Sequence, residues 1–157
     1  MTAPISHLLY LHGFRSSPKS AKAQTMSAWM RAHHPQVQWW CPQLPPSPRE
    51  AMDLVLREVG RWPHETMGVV GSSLGGFYAT AVAEELGCRA ALLNPAINPA
   101  RDLAHYIGDL TSYHDPDDHF FFRPEYVTQL RVMTPRAITP PERYLSTNNL
   151  RVVLAQT

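Results

Sequence analysis

Nothing in this chain runs apolar for the roughly 20 residues that a membrane-crossing helix needs. The opening Met1-Thr2-Ala3-Pro4-Ile5-Ser6-His7 lacks the charged start and small-residue cleavage site of a secretory signal. There are only two cysteines, Cys41 and Cys88, far apart and in no CxxC pair. That usage predicts a reduced, cytoplasmic protein with two buried thiols. Charge of either sign is also scarce: Lys and Arg total 14 against 13 Asp and Glu, for a formal net charge of +1. No Lys/Arg run is interleaved with aromatics, so neither nucleic acid nor a membrane surface is implied as a partner. Internal repeats and low-complexity tracts are absent as well.

What is present reads as one globular domain over residues 1–157, 44% hydrophobic and 17% charged. The 15 prolines are spread as punctuation. Ile5 to Leu11 is a short apolar run suited to a buried parallel strand. Ser17-Pro18 predicts a helix cap, opening a helix with Met26, Trp29, Met30 and His33 at helical spacing, which stops near Pro35. Val37 to Cys41 reads as a second strand. Ser47-Pro48-Arg49-Glu50 is a capping box, and Met52, Val55, Leu56 and Val59 give the following helix one apolar stripe. Met67 to Val70 is a third strand, followed by a helix to about Leu86-Gly87. Arg89 to Leu93 is a fourth strand.

This alternation predicts a three-layer α/β fold, a parallel sheet with helices on both faces. From about residue 98 to 143 proline, histidine, aspartate and aromatics dominate. That stretch reads as a small cap insertion with helical pieces near Ala100–Ile107 and Pro124–Val132. Leu150 to Ala155 returns to strand character.

The chemistry concentrates at Gly71-Ser72-Ser73-Leu74-Gly75. A β-branched run enters this stretch and small, helix-permissive residues leave it. A turn tight enough to expose a serine between strand and helix crowds its flanks, so Gly71 and Gly75 fit the need. Ser73 is then the nucleophile, and the Leu74 N–H points toward a developing oxyanion, reinforced by the helix N-terminus. The competing structural reading is a tight turn whose serine caps the helix. His12-Gly13-Phe14 follows the first strand, where a second oxyanion donor belongs. Gly13 allows close backbone approach, the Phe14 N–H is assigned as that donor, and His12 reads as a brace of the loop.

With these residues in view, "LLYLHGFRSSPKSAKAQ", "PQLPPSP", "VVGSSLGGFYAT" and "NPAINP" together resemble the YqiA/YcfP-type esterases of the α/β-hydrolase fold. The resemblance covers nearly the whole chain and is densest up to Pro99. It implies an esterase acting on small-molecule carboxylic or thioester acyl groups, with Ser73 as nucleophile and Phe14 and Leu74 as oxyanion donors. It implies no metal and no organic cofactor.

In this fold the triad runs serine, acid, histidine along the chain. The family pattern places the acid in a Gly-Asp-Glu turn after a strand ending in Gln-Thr, and the histidine in a later loop. This sequence ends in Leu154-Ala155-Gln156-Thr157. The expectation is therefore that acid and base lie beyond Thr157, that the last part of the fold is missing from this form, and that the form is impaired as an esterase. Two alternatives stand beside it. One is a non-catalytic scaffold. The other is a triad rebuilt from His114-Asp115-Pro116-Asp117-Asp118-His119, whose imidazoles and carboxylates could also be offered to a metal. The same stretch also reads as a solvated acidic loop. Phe120 to Phe122, Tyr106, Tyr113 and Tyr126 read mainly as cap packing, some of them lining an acyl pocket. Phe77 and Tyr78 read as core, and His33-His34 as a helix end.

Overall fold

A computed structural model describes residues 3–134, 138 and 141–146 of the chain. Five strands form one sheet: β1 (His7–Leu11), β2 (Gln38–Trp40), β3 (Met67–Ser72), β4 (Arg89–Leu93) and β7 (Tyr144–Ser146), in the order β2-β1-β3-β4-β7. Every pairing in it is parallel. Parallel neighbours need crossovers, and helices supply them: α1 (Ala21–His33), α2 (Pro48–Val59) and α3 (Leu74–Leu86).

The central strand β3 is buried at all six positions, which is why its sequence Met-Gly-Val-Val-Gly-Ser carries no alternation. Leu9, Leu11, Met67 and Val69 turn one way, into a core shared with Val55 and Val59 of α2 and Phe77 and Val82 of α3. Tyr10 and Val70 turn to the other face and meet Ala23 of α1 in a much smaller cluster.

The helix after Ser47 starts as its capping box predicts. Ser47 Oγ accepts the Glu50 N–H, with Pro48 at the first helical position. The first helix starts later than the sequence suggested. Ser17 Oγ accepts the Lys19 N–H and closes a local turn, while Ser20 is the residue that caps α1 by accepting from Ala23. Two serines compete within four residues, and only Ser20 stands three residues before a free helical N–H. The apolar residues of α1 are less buried than their spacing suggests: only Ala23 is fully covered, and Trp29 is 50% exposed, stacked on His33 at 4.5 Å.

Between β4 and β7 the chain forms α4 (Pro99–Leu103), a 3-10 turn at Ala104–Tyr106, a hairpin of β5 (Gly108–Thr111) and β6 (His119–Phe122), and α5 (Pro124–Met133). The helical piece expected to Ile107 thus shortens, and the hairpin replaces what read as irregular chain. The strand expected at Leu150–Ala155 lies outside the described residues. Among the described residues no helix is long and apolar enough to cross a membrane.

Candidate active site

Ser73 sits between β3 and α3 at φ 56° and ψ −118°, a conformation that L-residues rarely adopt. The glycines on either side make that turn possible. A Cβ on Gly71 would fall on the Gly75 carbonyl oxygen, and one on Gly75 would fall on the Leu11 carbonyl oxygen. Ser73 is exposed between buried neighbours on both sides. Its side chain makes no cap hydrogen bond to α3. The serine-cap reading of this motif is therefore excluded, and the hydroxyl is directed to solvent rather than spent on the helix.

The backbone of the turn is fastened by the Asn94-Pro95-Ala96 loop that follows β4. Ser73 N–H donates to the Leu93 carbonyl at 3.1 Å, and Ala96 N–H donates to the Ser73 carbonyl at 2.9 Å. Asn94 itself takes a positive φ of 45° as the loop leaves β4. Asn-Pro directly after a strand was the available signal, since both residues favour turns. Behind the turn, Lys22 Nζ of α1 donates to Ser72 Oγ at 3.2 Å.

Gly13 stands against the serine: a Cβ there would lie 3.4 Å from Ser73 Cβ and 3.9 Å from its Oγ. Its loop is braced by His12. The Leu44 N–H donates to His12 Nε2 at 2.9 Å, so the proton is on Nδ1, which donates to the Gly13 carbonyl at 2.9 Å. Burial holds this imidazole below its ordinary value of 6.5; the Gly13 bond opposes the shift, and the nearby His114 adds to it. His12 is thus engaged on both nitrogens and is no free base.

A pH dependence of stability follows. The unfolded chain takes up the His12 proton first as pH falls, so this contribution is complete above pH 6.5 and is lost below it. Chemical denaturation should show the midpoint dropping between neutral and mildly acidic buffer, and His12→Gln should flatten that drop. An equal drop in the variant would remove His12 as its source.

After Phe14, Arg15 takes φ 60° and ties the loop to the hairpin. Its Nε donates to the Thr111 carbonyl at 2.7 Å, its carbonyl accepts the Tyr113 N–H at 2.9 Å, and its guanidinium lies 4.3 Å from the Tyr113 ring centre. Phe14 packs edge-on against Phe122 at 5.1 Å and Tyr106 at 5.6 Å. No sequence signal distinguished Arg15.

A cavity of about 510 Å³ opens on Ser73, lined also by Phe14, Leu74, the Asn94–Pro99 loop and Asp102. A second, of about 400 Å³, lies between the His12–Ser16 loop, Leu44 to Pro46 and the hairpin. Phe14 and Leu74 border both. Asp118, His119 and Phe120 line the second cavity and not the first.

The acidic stretch is the hairpin turn. Asp115 Oδ1 accepts the Asp117 N–H at 3.0 Å and Asp118 N–H donates to the Asp115 carbonyl at 3.1 Å, the usual reason aspartates populate turns. His119 Nδ1 lies 3.5 Å from Asp109 Oδ2 across the hairpin, and His114 is exposed. Neither histidine lines the serine cavity among the described residues, so the cavity lends the triad-rebuilding reading no support. Among the described residues no three His, Cys, Asp or Glu side chains are grouped to hold a metal. Burial pushes Cys41 and Cys88 up to about 11, so neither thiol offers a competing thiolate at neutral pH.

A parallel sheet in this order, with a strained, exposed serine leaving its central strand, defines an α/β-hydrolase-like fold. The chain belongs to UPF0227, described as an uncharacterised protein family and matching residues 7–149, the family of the YqiA/YcfP proteins. Among solved structures, the α/β-hydrolase domain-containing protein 10 from mouse is 13% identical, with TM-score 0.56, over 90% of this chain and 77% of that one. The Francisella virulence factor BioJ is 14% identical (TM-score 0.42; 82% of this chain, 47% of that one). A hormone-sensitive lipase from a metagenome library is 19% identical (TM-score 0.41; 82% and 48%). This chain therefore spans about half the length of the latter two. At 13% identity the likeness to the mouse protein is one of fold.

Proposed function

We propose that this protein is a serine hydrolase of the esterase type, acting on small-molecule carboxylic or thioester acyl groups. The observation that carries the reading is Ser73: strained, exposed, and free of any capping bond at the mouth of a cavity. A strained residue at a ligand-accessible turn is a functional signal in its own right. Ser73 Oγ attacks the acyl carbon, its proton passing to water of the open cavity, from which the leaving oxygen or sulfur takes one up in turn. The Phe14 and Leu74 N–H groups hold the oxyanion; neither donates to a backbone carbonyl among the described residues. Collapse expels the alcohol or thiol and leaves acyl-Ser73. Water then releases the carboxylic acid.

No side chain among the described residues hydrogen-bonds Ser73 Oγ, and no histidine lines its cavity. That observation supports two further elements of the reading. Turnover by the 157-residue chain should be slow, within the residual 10³–10⁴-fold or so over water that oxyanion stabilisation and binding leave. It also gives weight to a second reading, in which the same pocket binds a ligand without chemistry.

A fluorophosphonate probe discriminates between them. Covalent attachment mapped to Ser73 by peptide mass is the expected result. Absence of labelling in an intact full-length form that carries a base for Ser73 would leave the binding-module reading standing and end the esterase one.

A further inference from the structure

Beyond the serine cavity, α4 and the 3-10 turn pack beside α5 and enclose an open trough of about 730 Å³. Three of its lining side chains are Arg101, His105 and Arg131, joined by Asn98 and Thr134, and no carboxylate lines it among the described residues. The trough is not separate from the nucleophile. Ile97, Asn98 and Arg101 line both it and the cavity that holds Ser73.

The charges are arranged asymmetrically. Among the described residues the one carboxylate that lines the serine cavity, Asp102, is occupied by Arg101 Nε at 2.9 Å. The remaining guanidinium donors of Arg101 stay uncommitted to that carboxylate, because a single Nε–H makes the pair. Arg131 has no carboxylate within ion-pair distance among the described residues. Two planar guanidiniums bordering one trough can present bidentate forks to an oxyanion such as phosphate or carboxylate, which an ammonium could not match.

We infer that the Arg101–Arg131 trough is an anion subsite, and that the substrate carries a phosphate or carboxylate on the part remote from the acyl carbon presented to Ser73. This deepens the esterase reading and rests on it for the identity of the bound molecule as substrate. The subsite selects for charge at one end while the reacting carbonyl stays neutral at the other. Because both arginines are exposed, the interaction is sensitive to salt.

The test uses the Ser73→Ala chain, so that binding is read without turnover. Calorimetry compares octyl phosphate, octanoate, inorganic phosphate and neutral octanol. Both anionic amphiphiles should bind about tenfold tighter than octanol, the scale of one well-placed charge-assisted pair. Inorganic phosphate alone should bind more weakly than octyl phosphate, since it lacks a portion to fill the adjoining cavity. Which of the two amphiphiles binds tighter identifies the anion. The gap should close in Arg101→Gln/Arg131→Gln and in concentrated salt, and narrow without closing in Arg101→Lys/Arg131→Lys, which keeps the charge, loses the bidentate fork and reports on folding.

Equal binding of anionic and neutral amphiphiles, or a gap that survives the double glutamine substitution, overturns the subsite. Probe labelling of Ser73 in the unsubstituted chain, run alongside, separates the two claims. Labelling without anion preference overturns the subsite alone. Anion preference without labelling, where the full-length form is also unlabelled, sustains the subsite and overturns the esterase reading.

Discussion

Ser73→Ala is expected to abolish fluorophosphonate labelling and to remove whatever ester hydrolysis passes through an acyl-serine. Removing the serine nucleophile in a well-studied hydrolase costs on the order of 10⁶ in kcat. The full size of the loss here depends on how completely the base is supplied. The direction does not, because among the described residues no other activated nucleophile faces the cavity: the thiols of Cys41 and Cys88 are held protonated near 11 and neither lines it. Ser73→Gly should lose activity equally but gain stability. The backbone at φ 56° and ψ −118° strains any residue with a Cβ, at a cost of about 1–3 kcal/mol. Glycine relieves that strain and gives back roughly 0.5–1 kcal/mol through its looser unfolded state. The net is a stabilised, inactive protein, visible as a higher denaturation midpoint. If Ser73→Gly is instead less stable than both wild type and Ser73→Ala, the turn stores no strain. If Ser73→Ala still hydrolyses esters at the wild-type rate, Ser73 is not the nucleophile.

Gly75→Ala is expected to unfold the protein or leave it insoluble, against the ordinary rule for helices. Gly75 lies in the first turn of α3, where alanine is normally better by about 1 kcal/mol. Here the added methyl would coincide with the Leu11 carbonyl oxygen, and the His12 carbonyl oxygen would lie 2.6 Å away. Both are backbone atoms, one at the end of β1 and one in the braced loop, so no side-chain rotation can make room. The steric term, on the order of 3 kcal/mol or more, outweighs propensity. Gly68→Ala is the matched control. Its methyl would meet the tips of Ile5 and Leu8 at 3.3 Å, side chains that can turn, and would touch the Arg89 carbonyl oxygen only at an ordinary contact distance of 3.9 Å. Gly68→Ala should therefore fold with a cost of about 1 kcal/mol or less. A soluble, cooperatively folding Gly75→Ala protein would contradict the packing described for the turn.

The parts of this fold legible in the sequence are those decided locally. The Val69-Val70 run, the glycines beyond it and the small residues of α3 each state a preference within a few positions, and β3, the turn and α3 follow. Arg89 to Leu93 was legible for the same reason: five residues, mostly apolar, stand between a glycine-ended helix and Asn-Pro. The hairpin was not. Its strands are held by pairing Gly108–Thr111 with His119–Phe122, and neither has a hydrophobic alternation of its own. The aspartates between them signalled chemistry to a reader of composition, although their side chains and carbonyls mainly shape the turn. Arg15 was hidden for a different reason. Its contacts are with Thr111 and Tyr113, roughly a hundred positions away, and only the assembled chain brings them together.

The two faces of the sheet are unequally covered, and this has a dynamic consequence. The α1 face is sealed by Tyr10, Val70 and Ala23 with a few half-buried neighbours, while the other face carries the main core. Opening free energies follow buried apolar contact, so α1 should form the least protected cooperative unit among the long helices. Its amides should exchange with deuterium well before those of α3, and the Lys22 tether to Ser72 would be released in each such opening. The serine turn itself, anchored to β1 and β4 from the better-packed side, would keep its shape throughout. The molecule is thus built to breathe on one flank while holding its nucleophile rigid.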